Sequence, residues 1–128
     1  MKTSTALLIF SIYGIIVGTM LLFHAAGSLH DYGTPNVDAY HVAILQYLGI
    51  ADIGLGMMGV IIRNSPDANA IKGYWYVGSF VTLGAVLKGA YDIAALGMTA
   101  SDFFYVDMAI RGVVGLACLY FGFKPIRK

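Results

Sequence analysis

The sequence predicts an all-α protein of the membrane: a bundle of four transmembrane helices with both termini on the cytoplasmic side. Three observations carry that expectation. Hydrophobic residues fill 59% of the 128 positions, charged residues only 12%, and the mean hydropathy is +0.75, whereas soluble domains carry about 25% charged residues. The apolar residues form four blocks, each close to the ~20 residues that cross a bilayer as a helix. The cations gather at alternate ends of those blocks. The length and the short connections suit a single domain over residues 1–128.

The first span is expected over Thr5 to Gly27. Lys2 before it and "HAAGS" near its end give the outline of a secretory signal. Its apolar core is longer than the ~7–15 residues of such signals, and His24 stands where a small residue belongs, so a retained span is expected. "SLHDYGTPNVDAY" follows, where Gly33, Pro35 and Asn36 mark a turn. The second span runs from His41 to Ile62. "RNSPDANAIK" reads as the next loop, with Pro66, Asp67 and Asn69. The third span, Gly73 to Leu96, is stopped by Gly97, and the fourth, Phe103 to Phe123, can be capped by Ser101 or Asp102.

Lys2, Arg63, Lys72 and the closing "KPIRK" fall on one side if the spans alternate, while the opposite loops hold Asp31, Asp38 and Asp102 and no Lys or Arg. Loops rich in Lys and Arg stay cytoplasmic, which places both termini inside. A net charge of +1 without a basic patch leaves no case for a nucleic-acid partner. The expected partners are the lipid bilayer and other copies or subunits in a homo-oligomer or larger membrane complex.

Glycine is frequent, at 16 residues, and much of it lies inside the spans, as in "GIIVG" (Gly14, Gly18) and "GLGMMG" (Gly54, Gly56, Gly59). Small residues let helix backbones approach in lipid, so these faces are expected to pack the bundle internally. Cys118, the single cysteine, reads as a small core residue. "GYWY" at 73–76 sits beside Lys72 and reads as an interfacial anchor.

The chemistry of interest is the set of charges inside the spans. At about 1.5 Å per residue, Asp52 and Arg111 fall near the midplane, and Lys88 and Asp107 share a level farther out. Asp92 lies above them, near His24 and His41 at the outer edge. Lys88 and Asp92 are four apart, as are Asp107 and Arg111, so each pair shares a helix face. An unpaired charge at the bilayer centre costs about 2.5–3.5 kcal/mol, so mutual pairing is expected. Asp52, Asp92 and Asp107 outnumber Lys88 and Arg111, an imbalance that a purely structural network would avoid.

The sequence therefore points to an outward-facing polar pocket, lined by His24, His41, Lys88, Tyr91, Asp107 and Arg111, in a binding protein or membrane subunit. One alternative is an isomerase, cyclase or hydrolase acting on an isoprenoid or lipid, with Asp52 or Asp92 as general acid or base. Another is a proton- or cation-coupled transporter using Asp52. No phosphate loop, nucleophile elbow or zinc-protease motif is present. The histidine spacings match no metal signature, so no metal is assigned, and no cofactor is specified.

Overall fold

A computed structural model describes residues 2–125 and is helical throughout, with no strand among them. The elements are α1 (Thr3–Phe23), α2 (Ala25–Asp31), α3 (Ala39–Ile62), α4 (Ala68–Leu96) and α5 (Asp102–Phe123). Four of these, at 21, 24, 29 and 22 residues, are long and apolar enough to cross a membrane. At most 28% of the most apolar stretch of any of them is buried inside the protein. Phe23, Ile61 and Phe80 stand more than 75% exposed, a surface suited to hydrocarbon rather than water. Arg127 and Lys128, two of the cations used to orient the chain, lie outside the described residues.

The chain packs as two compact units, one ending at Asn64 and the other starting at Ser65. In the first, α1 and α3 form a hairpin and α2 lies against both. The crossing is made by glycines. A Cβ placed on Gly18 would stand 2.6 Å from the carbonyl oxygen of Gly49, and one on Gly49 would stand 2.6 Å from that of Gly18. Gly56 meets the Ser11 carbonyl in the same way. The two backbones touch, so the close approach requires residues without a side chain. Ser11 is fully buried and donates its hydroxyl to the Leu7 carbonyl at 2.7 Å, which lets a polar side chain occupy an apolar seam.

In the second unit α4 and α5 form the other hairpin. Gly89 faces Phe104 and Met108, Gly115 faces Thr82 and Leu83, and Gly122 faces Tyr76 and Trp75. Those three contacts define an antiparallel register. Trp75, 1% exposed, stacks on Phe121 with ring centroids 5.1 Å apart. Cys118 is buried beside this seam at 1% exposure.

Helix ends follow their side chains. Asp38 starts α3, Asp67 starts α4 by accepting from the Asn69 N–H, and Ser101 starts α5 by accepting from the Phe104 N–H. Gly97 closes α4 in the left-handed region, φ 65°, with the Met98 N–H bonded to the Asp92 carbonyl.

Three sequence expectations are corrected here. The first span ends at Phe23, not Gly27, because His24 leaves the helical region (φ −124°, ψ 30°) and the chain restarts as α2. The supposed loop before Gly73 is helical from Ala68, because Asp67 supplies a cap six residues before Gly73. Within "GYWY", Tyr74 and Trp75 are only 3% and 1% exposed, so they pack the hairpin, and of the three rings only Tyr76, at 41%, keeps an exposed face.

Candidate functional site

In the first unit His24 sits at the joint between α1 and α2. Its N–H closes onto the Met20 carbonyl, and its ring lies over Gly27 so closely that a Cβ there would be 2.1 Å from Nε2. His41 lies in the first turn of α3. Asp38 Oδ1 accepts from the backbone N–H groups of Tyr40 and His41, both at 2.9 Å, and lies 3.0 Å from the His41 imidazole Nδ1. The His41 N–H bond, then the imidazole beside it, hold the Asp38 carboxyl below the usual carboxylate value. His41 is thus tied into a helix cap, with its side chain 52% exposed.

Asp52 is half-buried near the middle of α3, between the contact glycines Gly49 and Gly56. A Cβ placed on Gly14 of α1 would stand 3.6 Å from its carbonyl oxygen. Beyond Asp52, the ionisable side chains within α1 and α3 are Tyr13, Tyr40, His41 and Tyr47; the cations Lys2 and Arg63 lie just beyond the helix ends.

In the second unit each ion pair closes along its own helix. Lys88 Nζ is bonded to Asp92 Oδ1, and Arg111 Nε donates to Asp107 Oδ2 at 2.6 Å. The pairs differ in shelter. Lys88 keeps 67% of its side chain exposed, whereas Arg111 and Asp107 keep 16% and 15%. Tyr91 is 57% exposed, and its ring centroid lies 6.0 Å from Lys88 Nζ. The Gly89 contact with Phe104 and Met108 sets Lys88 of α4 level with Asp107 of α5. The equal heights expected of those two residues follow from this register, and the Lys88–Asp92 and Asp107–Arg111 bonds each lie within one helix.

Sequence reading missed two groups that matter locally. Gln46 Nε2 donates to the Leu22 carbonyl at 3.1 Å, linking α3 to the end of α1. A lone amide in an apolar span was the available signal. Asp38 is the other: an Asp immediately before an apolar run is an ordinary N-cap signal. Among the described residues no three His, Cys or Asp side chains converge so as to hold a metal ion.

These features define an all-helical protein with four candidate membrane-crossing helices and charged side chains along three of them. Comparison with protein families, with curated proteins and with solved structures gives no significant match in any of the three.

Proposed function

We propose that this is an integral protein of a bacterial or archaeal cytoplasmic membrane, crossed by its four long helices. Both termini face the cytoplasm, in keeping with Lys2, Arg63, Lys72 and Lys124 at one set of helix ends. The ionisable residues of the outer halves line a pocket for a small cationic ligand or ion. The protein works as a binding protein or as a subunit of a homo-oligomer or larger membrane complex.

The charge count within the spans carries this reading. Away from the helix ends, where Lys72 and Asp102 lie, Asp52, Asp92 and Asp107 stand against Lys88 and Arg111, a formal −1 in a region where net charge is costly. The level placement of Lys88 and Asp107 supports one shared polar layer on the second hairpin. A cation, or a ligand bearing one, restores neutrality.

The test uses the full chain extracted in mild detergent. Native mass spectrometry of the wild type is expected to show a retained small cation or cationic ligand, absent from Asp52→Asn, which removes the excess charge. Wild type that retains nothing, and whose melting temperature ignores added monovalent and divalent cations, overturns the reading. That result would favour purely structural ion pairs, the role to which the helix-internal geometry of Lys88–Asp92 and Asp107–Arg111 also lends itself.

A further inference from the structure

At the end of the α4–α5 hairpin opposite Gly97, aromatic rings and two lysines come together. Gly122 lies against Tyr76 and Trp75, and the Tyr76 hydroxyl donates to the Gly122 carbonyl at 3.2 Å. Trp75 stacks on Phe121, and Tyr76 meets Phe123 edge to face at 5.8 Å. Lys72 is three residues from Trp75 on α4, and Lys124 is three residues from Phe121 just past α5, so both stand beyond this aromatic layer at one end. Lys124 Nζ lies over the rings of Tyr120 and Phe121, at 5.9 and 5.6 Å.

One acid of this hairpin occupies the same end. Asp67 caps α4 through the Asn69 N–H. Two lysines against one carboxylate leave the end positive. Just inside it, Phe80, Tyr120 and Phe123 are 62–80% exposed and Tyr76 is 41% exposed. Exposed aromatic rings of this kind lie at the boundary between headgroups and hydrocarbon. Lysines placed immediately outside such a ring layer stand at the height of lipid phosphates, where anionic headgroups attract them.

We infer that Lys72 and Lys124 form a docking site for the phosphate of an anionic phospholipid, with Tyr76, Tyr120 and Phe123 holding the upper acyl chains. The partner is a lipid, not a soluble phosphate ester, because the lysines and the exposed apolar rings are contiguous and only an amphiphile satisfies both. The site is separate from the ionisable residues at the other end of the hairpin.

Trp75 is the lone tryptophan of the chain and lies within this layer. The full-length protein, reconstituted in phosphatidylcholine vesicles, is titrated with brominated phosphatidylglycerol or brominated phosphatidylcholine while Trp75 fluorescence is followed. Native mass spectrometry of retained lipids gives the same comparison independently of how deeply the indole is buried. Preference for the anionic lipid is expected, falling about fivefold for each lysine replaced by Gln. Lys72→Arg with Lys124→Arg should keep it. Equal response to the two lipids, or a preference that survives Lys72→Gln with Lys124→Gln, overturns the inference. Displacement of the lipid by inorganic phosphate also overturns it, since the site would then take free phosphate.

Discussion

Gln46 Nε2 donates to the backbone carbonyl of Leu22 at 3.1 Å, and this bond ties the first third of one long helix to the end of another. The last four carbonyls of a helix have no donor within it. In α1 these belong to Met20, Leu21, Leu22 and Phe23, and the His24 N–H takes the one on Met20. The chain's single glutamine serves the carbonyl of Leu22 from α3. It lets α1 stop at Phe23 without leaving that oxygen bare in an apolar setting, where an unsatisfied group costs several kcal/mol. The break at His24 and the polar residue at position 46 are two parts of one arrangement.

Replacing Gln46 with Leu should therefore lower stability by about 1 kcal/mol, the scale of side-chain hydrogen bonds between helices in membranes. Thermal melting in detergent reads the change directly. A Gln46→Leu variant that melts with wild type would show that the bond contributes nothing to stability.

Glycine substitutions should divide into two groups. Gly18→Ala and Gly49→Ala each place a methyl group 2.6 Å from a backbone oxygen, which cannot move aside as a flexible side chain would. Each should cost about 1–3 kcal/mol by forcing α1 and α3 apart. Gly54 and Gly73 have nothing within 4 Å of an added Cβ, so Gly54→Ala and Gly73→Ala should be neutral or stabilising by up to ~1 kcal/mol. Melting temperatures of the four variants check the pattern, and a loss of equal size in all four would contradict the contact map.

The contrast between those glycines shows what was legible in the sequence. Apolar block length located four long helices, because crossing a bilayer imposes a length that few other constraints mimic. Gly97 and Ser101 were readable as a stop and a start, since each acts on its immediate neighbours. Which glycines meet a partner was not readable. Gly54 and Gly56 are two residues apart, yet only Gly56 touches α1, and the rotation of a helix whose every face is apolar leaves no amphipathic stripe to reveal it. The ion pairs were half legible. Four-residue spacing gave Lys88–Asp92 and Asp107–Arg111, but equal depth alone could not say whether bonds run along a helix or between helices. The early end of α1 was hidden because His24 and Gly27 act through a local ring-over-backbone packing that carries no composition signal.

The cap at the start of α3 should be sensitive to acid. Asp38 accepts from the His41 and Tyr40 N–H groups, and its carboxyl is held below the usual value of about 4. A carboxyl lowered in the folded state stabilises it fully above the unfolded value and loses that contribution as pH falls through the folded value. The first turn of α3 should consequently loosen below about pH 4. Hydrogen exchange at the Tyr40 and His41 amides, corrected for its intrinsic pH dependence, reports this opening. Asp38→Asn should retain a cap and lose the acid response, whereas Asp38→Ala should exchange fast at every pH. Protection in Asp38→Asn that still collapsed in acid would place the titrating group elsewhere.

The two ion pairs of the second hairpin have the same spacing and should behave differently. Arg111 and Asp107 are 84–85% sheltered with a 2.6 Å bond, so removing one of them takes that bond from a charge in a poorly solvated place. Asp107→Asn or Arg111→Gln alone should cost about 2.5–3.5 kcal/mol if the pair lies at membrane depth. The double replacement, which removes both charges together, should recover most of that loss. Lys88 is 67% exposed and can carry its ammonium toward the headgroups, so Lys88→Gln should cost no more than about 0.5 kcal/mol. A double-mutant cycle on each pair, followed by unfolding in detergent or bicelles, measures the coupling. Strong coupling at Asp107–Arg111 with weak coupling at Lys88–Asp92 is the expected result. Equal coupling would mean that both pairs share one environment, and that burial of the side chains does not set their cost.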